Sequence, residues 1–257
     1  MNILISKTDK TNPLKAAFNM LLLSVFLVAL TWLALSRIGV AFKFSFLFGL
    51  RERLLDGFLM TVYLSAASLL LSLFLGIISA VSQTSKILIL RYLSKLYVTF
   101  IRGTPMIMQV YLFYYIVGTA AGIENRFVCG VLILSIFEGA YIAEIIRGSL
   151  LSMDSTQLEA AKAVGFTKKQ TIILVVLPQL TARTLPALTG QFASIIKDSS
   201  LLSVIAIIEL TQTMREITAV NFKIFECYLF LGVLYLLLTF PISLVSKRLE
   251  RKFSYEN

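Results

Sequence analysis

The chain has 257 residues, of which 58% are hydrophobic and 15% are charged, and its mean hydropathy is +0.85. Soluble domains contain about 25% charged residues, so this composition indicates a membrane protein. The sequence has no histidine, which excludes histidine-based catalytic triads and histidine metal sites. In a membrane protein the net charge of +10 marks cytoplasmic loops, and it does not indicate a nucleic-acid partner.

Six segments are apolar enough to cross a membrane, which requires about 20 mostly apolar residues. In chain order they are 16–36, about 57–82, about 97–118, about 127–150, about 182–209 and about 224–246. The third has a ragged start, because Arg102 and Pro105 lie in its first turns. We therefore expect an all-α integral membrane protein with six transmembrane helices. Cys129 and Cys227 are expected to be small core residues without a disulfide.

The distribution of basic residues predicts the orientation of these spans. Six spans place both termini on one side, and the polar segments of that side hold 16 of the 24 Lys and Arg residues. The opposite segments hold 7, and Lys197 lies within a span. Because cytoplasmic loops are enriched in Lys and Arg, both termini and the segment 151–181 are predicted to be cytoplasmic.

The polar segment 156–170 predicts a short helix followed by a sharp turn. Thr156 and Glu159 have the spacing of a capping box, which would start a helix over Gln157–Val164. Gly165 can adopt the left-handed conformation that ends it. Thr167 and Gln170 have the spacing of a second capping box.

A second helix is expected to follow through TIILVVL and to end at Pro178. On spacing alone, an ordinary capped surface loop explains the segment equally well. A DNA-reading helix-turn-helix is disfavoured, because the second helix offers no row of polar side chains to base edges. We therefore expect no nucleic-acid partner.

Residues 159–178 also fit the pattern E-A-A-x3-G-x9-I-x-L-P, with Val175 at the isoleucine position. The matching residues are Glu159, Ala160, Ala161, Gly165, Leu177 and Pro178. This pattern resembles the signature of the permease subunits of bacterial ABC importers. Three further segments resemble the polar amino-acid permeases of that group (the His/Gln/Arg permease family). They are RGTPMIMQVYLFYY at 102–115, GAYIAEIIRGSL at 139–150 and KDSSL at 197–201.

The resemblance covers about residues 52–250 and implies a domain organisation. Residues 1–50 would form an N-terminal cytoplasmic segment, an extra transmembrane helix and an outer connection. Residues 51–250 would form the five-helix type I ABC importer permease domain, with a coupling loop at about 152–180. Residues 251–257 would form a cytoplasmic tail. The loop would contain a coupling helix that sits in a groove on a separate ATPase subunit.

The same resemblance implies partners in the bacterial cytoplasmic (inner) membrane. They are ABC ATPase subunits, a second permease subunit (identical or related), an extracytoplasmic amino-acid-binding protein and membrane lipid. The chain itself lacks the G-x4-G-K-[ST] phosphate-binding loop, so we expect no enzymatic activity and no bound cofactor. ATP and Mg would be used by the partner. The alternative is a secondary transporter or channel that works without an ATPase, which would not need the coupling loop.

Ionisable residues within spans are costly in the membrane and are therefore candidates for function. Glu138 lies near the middle of the fourth span, and Tyr141 shares its helix face. Its carboxylate could meet the cationic group of a substrate, which gives a weak preference for cationic amino acids such as arginine. An ion pair with Lys197 of the same or a second subunit explains Glu138 equally well.

The other charged residues of the spans allow structural and functional interpretations. Glu144 and Arg147 are three residues apart, which favours a local pair over substrate contact. Arg102 is expected at the start of a capped helix, in a structural or gating role. Asp198, followed by Ser199, could cap a helix that breaks at mid-membrane. Such a break would expose a helix N-terminus to a substrate carboxylate.

Overall fold

The computed structural model describes residues 13–38 and 42–254, and all regular structure within these ranges is helical. The chain divides into two compact units, Met1–Ser45 and Phe46–Asn257. Much of the predicted cytoplasmic N-terminus, with Lys7 and Lys10, lies outside the described residues. The helices are α1 (Pro13–Ile38), α2 (Ser45–Phe48), α3 (Arg51–Thr84), α4 (Leu88–Gly103), α5 (Met106–Leu112), α6 (Arg126–Leu151), α7 (Ser155–Ala163), α8 (Lys168–Thr171), α9 (Leu177–Asp198), α10 (Leu210–Asn221) and α11 (Ile224–Ser254).

Five helical segments of the described chain are long and apolar enough to cross a membrane. They are Leu14–Ala34, Arg51–Thr84, Arg126–Leu151, Lys168–Ile205 and Ile224–Phe253. Each corresponds to one of the six predicted spans. The all-α membrane fold is therefore confirmed, and only the third predicted span lacks a helix of spanning length.

The third predicted span, 97–118, is not one helix. α4 ends at Gly103, and Thr104 is extended because a residue before proline is pushed out of the helical region. A shorter apolar helix, Met106–Gly118, then begins directly after Pro105. Gln109 stabilises the break by donating to the carbonyl of Ile101 at 2.7 Å, which would otherwise lose its partner. The predicted start at residue 97 therefore falls inside α4.

The fifth span begins earlier in the chain than predicted. Helical structure is continuous from Lys168 to Ile205, with a π-helical segment at Ile172–Val176 and a 3₁₀ segment at Ser199–Ile205. Pro178 lacks an N–H, and the wider π turn directly before it is the kind of local adjustment that accommodates a proline within a helix. We expected the second loop helix to end at Pro178. Instead it continues through Pro178 and becomes the fifth span.

The main core of the second unit forms where α3 crosses α6, and glycine sets the separation. A Cβ atom on Gly76 would lie 2.4 Å from Cγ2 of Ile142, and one on Gly139 would lie 3.1 Å from Cβ of Leu75. Small residues allow membrane helices to approach closely. Such close packing matters because lipid provides no hydrophobic force that would drive the helices together. The buried, unpaired Cys129 and Cys227 confirm their expected role as core residues.

Candidate coupling loop and translocation site

The loop helix α7 starts two residues earlier than predicted. Its N-cap is Asp154, whose carboxylate accepts a hydrogen bond from the backbone N–H of Thr156 at 2.9 Å. This hydrogen bond holds the pKa of the Asp154 carboxyl below its usual range. The predicted capping box of Thr156 and Glu159 is therefore wrong, because Thr156 already lies inside the helix. An aspartate earlier in the chain provides the cap instead.

The turn after α7 has the predicted geometry. Gly165 has a φ of +89°, in the left-handed region where a side chain would be strained. Thr167 and Gln170 form the predicted reciprocal capping box. The backbone N–H of Thr167 donates to Oε1 of Gln170 at 2.8 Å, and the N–H of Gln170 donates to the Thr167 hydroxyl at 3.3 Å. The predicted order of helix, sharp turn and helix is thus confirmed.

Side chains of the fifth span contact α7 at one point and the C-terminal end of α6 at another. The amide of Gln179 donates to the amide oxygen of Gln157, which lies on α7. The guanidinium of Arg183 donates to the Ser152 hydroxyl at 2.9 Å and to the Ser152 carbonyl, just before α7. Because Gln179 and Arg183 both lie on α9, a displacement of α7 would be transmitted to this helix.

Some residues of the E-A-A-x3-G pattern are exposed, and others pack within the loop. Glu159 and Ala160 are exposed on α7, whereas Ala161 packs inward with 6% exposure. Leu177 and Pro178 are exposed at the start of α9. The exposed residues are available to a partner protein, while Ala161 and the turn at Gly165 shape the loop.

Within the membrane, Glu138 is fully buried between α6 and α9. The amide of Gln191 donates to its Oε2, and the carboxyl group of Asp198 interacts with it. Its Oε1 has no hydrogen-bond partner among the described residues. Lys197 is exposed, and no ion pair joins it to Glu138 in the described part of this chain. The alternative of an ion pair within one subunit is therefore wrong.

The predicted helix break at Asp198 is also wrong. α9 continues through Asp198 into the 3₁₀ segment, and the Asp198 side chain caps no N–H group. The hydroxyl of Ser199 donates back to the carbonyl of Ile196 at 2.8 Å, as a residue within a helix does. The carboxyl group of Asp198 instead interacts with Glu138 and so does not cap a helix.

The helix does break further on, between Ala206 and Glu209. Ala206 has a φ of 56°, and Glu209 then caps α10 by accepting hydrogen bonds from the N–H groups of Thr211 and Gln212, both at 2.8 Å. The backbone N–H of Leu210 donates to the hydroxyl of Thr61. At a rise of about 1.5 Å per residue, Thr61 lies about 15 Å along α3 from its start, so the N-terminus of α10 packs about three turns along that helix.

Glu209 is completely buried and has a third donor, the hydroxyl of Tyr235 on α11 at 2.8 Å. The sequence did not indicate Glu209, because hydropathy places it at the polar end of a span. Gln191 was also missed, because it carries no charge. The spacing of Gln191 and Asp198, seven residues apart on one helix face, is the signal that could have identified Gln191.

A second polar group lies on the cytoplasmic side of the predicted topology. Nε of Arg147 donates to Oε2 of Glu144 at 2.8 Å, which confirms the local pair. Arg102, in the last turn of α4, lies 3.5 Å from the same carboxylate. Its guanidinium stands 5.6 Å from the ring centroid of Tyr141. Tyr141 therefore joins this group.

Together, several apolar spans, a buried polar pair between two of them and an exposed loop helix define a multi-pass transport component of a membrane. A family model described as "Binding-protein-dependent transport system inner membrane component" matches residues 72–255. This match covers more than half of the chain. The chain therefore belongs to the family of binding-protein-dependent transport system inner membrane components, as the sequence motifs predicted, and it is not an enzyme.

Two curated bacterial proteins show similar sequences. The chain is 33% identical over 213 residues to a probable glutamine ABC transporter permease protein, GlnM, of Bacillus subtilis (81% of this chain, 99% of the relative). It is 36% identical over 201 residues to the glutamine transport system permease protein GlnP of Escherichia coli (77% and 92%). A solved amino acid ABC transporter with histidines has a TM-score of 0.76 and 29% identity, and the match covers 83% of this chain and 100% of that one.

Proposed function

We propose that this chain is the permease subunit of an ABC importer for polar amino acids, with a preference for cationic ones such as arginine. The observation that carries the proposal is the contact of exposed helix α7 with the helical segment Lys168–Ile205 through Gln157 and Gln179. The Ser152–Arg183 contact holds the preceding end of α6 to the same segment. This segment also carries Gln191 and Asp198 of the membrane-embedded polar pair. One continuous helical segment thus connects the loop, where an ATPase could bind, with the polar pair, where a substrate could bind.

In this proposal α7 is the coupling helix. Glu159 and the small Ala160 lie on its exposed side, where a partner backbone can approach closely. A separate ATPase would bind here and would hold the ATP and Mg. Its movement on ATP binding would displace α7, and the contacts to α9 would carry that displacement to Asp198. The similarity to permease proteins of ABC transporters supports this assignment.

The substrate preference rests on the two carboxyl groups that meet between α6 and α9. Glu138 has one oxygen without a partner, and Asp198 interacts with the same side chain. A cationic side chain or ammonium group would satisfy this unpaired acceptor, whereas a carboxylate would be repelled. The relatives named for glutamine transport support a polar amino acid as the general substrate class.

The remaining partners follow from the same proposal. A second permease subunit, identical or related, would complete the pathway, and a soluble amino-acid-binding protein would deliver substrate at the outer face. Both termini would be cytoplasmic, in agreement with the excess of Lys and Arg on that side. The surrounding membrane lipid would contact the apolar helix faces.

The test is uptake by the complete complex in vesicles, with binding protein outside and ATP inside. Glu159→Lys is expected to abolish uptake, because reversing a charge in a protein interface costs several kcal/mol, or on the order of a hundredfold in affinity. Glu250→Lys, an equivalent reversal at an exposed position of α11 outside the loop, is the matched control and should leave uptake unchanged. Normal uptake by Glu159→Lys would remove the coupling role of α7. Uptake without the ATPase would identify a secondary transporter or channel instead.

A second experiment separates substrate preference from coupling. Glu138→Gln removes the carboxyl group and keeps the shape, so arginine uptake should fall relative to glutamine uptake in the same vesicles. An unchanged ratio would refute the cationic preference while leaving the permease assignment intact.

A further inference from the structure

Helix α4 has three faces of different chemistry, and the structure fixes the direction of each. Its buried face consists of Ser94, Val98 and Ile101. Its apolar exposed face consists of Ile89, Leu93, Leu96 and Phe100, which are between 44% and 74% exposed. Its polar face consists of Arg91, Lys95, Thr99 and Arg102. An exposed apolar face beside a basic one is the pattern of a helix that lies at the membrane surface.

Three anchors prevent α4 from rotating. The hydroxyl groups of Ser79 and Ser94 are 2.6 Å apart, which ties α4 to α3. The hydroxyl of Tyr97 donates to the carbonyl of Ile136 on α6 at 2.6 Å. The guanidinium of Arg91 donates to the carbonyl of Ser85 at 2.9 Å, in the turn before the helix. The polar face therefore always points the same way.

This polar face forms one wall of a cleft of about 570 Å³. The lining residues are Gln83, Lys95, Val98, Thr99, Arg102, Gly103, Tyr141, Glu144 and Arg147. Three of them are cationic and only Glu144 is anionic, so the cleft has an excess of positive charge. Both Arg147 and Arg102 already contact the Glu144 carboxylate.

The cleft also holds hydrogen-bond donors without acceptors. No hydrogen bond or ion pair reaches Lys95 from the residues that the structure describes. Gln83 is only 9% exposed, and its amide nitrogen has no partner in the same ranges. An unsatisfied buried donor is unfavourable unless a ligand completes it. Together with the exposed hydroxyl of Thr99, these groups match the oxygen atoms of an anion.

We propose that this cleft binds the phosphate group of an anionic phospholipid from the cytoplasmic leaflet. The apolar face of α4 places the cleft at the level of the lipid headgroups, and basic pockets between membrane helices on the cytoplasmic side bind such headgroups. A free amino acid fits less well, because its ammonium group would find only Glu144, whose carboxylate is already paired. The proposal is independent of which substrate the importer carries.

The test measures lipid retention by the detergent-purified complex, by native mass spectrometry. Phosphatidylglycerol and phosphatidylcholine with the same acyl chains are added in separate titrations. Phosphatidylglycerol is expected to remain bound to the wild type, and phosphatidylcholine is expected to dissociate. Lys95→Gln should weaken phosphatidylglycerol binding about tenfold, the typical effect of losing one charge-assisted hydrogen bond. Lys168→Gln, which removes the same charge from an exposed site elsewhere, should change it less than about twofold.

Gln83→Leu provides a second variant that keeps the side-chain volume and needs no new partner in the core. It should fold normally and should also weaken phosphatidylglycerol binding. Inorganic phosphate should compete with the lipid at millimolar concentration, which would show that the phosphate group is recognised.

Three results would overturn the proposal. The first is equal retention of the two lipids by the wild type. The second is equal retention of phosphatidylglycerol by Lys95→Gln and Lys168→Gln. The third is displacement of phosphatidylglycerol by arginine or glutamine, which would assign the cleft to substrate. None of these results depends on transport activity, so the proposed function can fail or succeed separately.

Discussion

The crossing of α3 and α6 allows a quantitative prediction for Gly76→Ala. The added Cβ atom would lie 2.4 Å from Cγ2 and 2.8 Å from Cβ of Ile142, and 3.2 Å from the carbonyl oxygen of Gly139. Ile142 is completely buried and β-branched, so neither its side chain nor its backbone can move away easily. The helices must separate, and overpacking of this kind costs about 1–3 kcal/mol.

The matched control is Gly232→Ala on α11, because no atom lies within 4 Å of a Cβ added there. In that position alanine removes only the entropic disadvantage of glycine in a helix, which stabilises by about 0.5–1 kcal/mol. The same chemical change should therefore have opposite signs at the two positions.

The assay is the midpoint of thermal unfolding of the purified protein in one detergent, followed by the loss of helical circular dichroism. Gly76→Ala should unfold at a lower temperature than the wild type, and Gly232→Ala at an equal or higher temperature. If Gly76→Ala were as stable as Gly232→Ala, the close helix contact would not exist in the folded protein.

Three further predictions concern the loop and the contact between α10 and α11. Thr167→Ala removes the second capping box and should speed amide hydrogen exchange over 168–171, because a lost cap costs about 1 kcal/mol. The pKa of the Asp154 carboxyl is lowered, so its cap is complete above the usual pKa and is lost as the pH falls through the lowered value. Exchange at 155–157, corrected for the intrinsic rate, should therefore accelerate in acid in the wild type but not in Asp154→Asn. Tyr235→Phe removes one donor from buried Glu209 and should lower the free energy of unfolding by about 1–3 kcal/mol, and with it the midpoint of thermal unfolding. Tyr228→Phe, at an exposed position, should leave the midpoint unchanged.

Hydropathy was sufficient to predict most of the fold. Five spans followed from runs of apolar residues alone, because lipid forces every backbone polar group into helical hydrogen bonds. The third span could not be placed in this way. Apolar residues lie on both sides of Pro105, so a run of hydropathy extends across a point where the helix does not. Reading Thr104 as a residue forced out of the helix by Pro105 would have corrected the boundary.

Local chemistry was predictable where the partners are close in sequence. Glu144 with Arg147, and Thr167 with Gln170, both follow from a spacing of three residues. The error at Thr156 has the same local origin, since Asp154 satisfies the capping rule equally well and comes first. Spacing alone does not rank two acceptable caps.

Contacts between distant segments were not predictable. Glu138 was expected to meet either a substrate or Lys197, but it meets Gln191 and Asp198. Lys197 and Asp198 are adjacent, so helix geometry directs them about 100° apart, and only the packing of α6 against α9 decides which one faces Glu138. In the same way, the helix break was expected at Asp198 but lies at Ala206. The packing around Thr61 and Tyr235 selects that position.

The continuous helical segment from Lys168 to Ile205 has a consequence for the order of events during transport. At about 1.5 Å per residue it is on the order of 55 Å long, more than the thickness of a bilayer. A helix shifted along its axis moves at both ends together. The start of the segment at Lys168 and the turn at Ala206 should therefore change position in a single step, and a trapped state in which only one of them has moved should not accumulate.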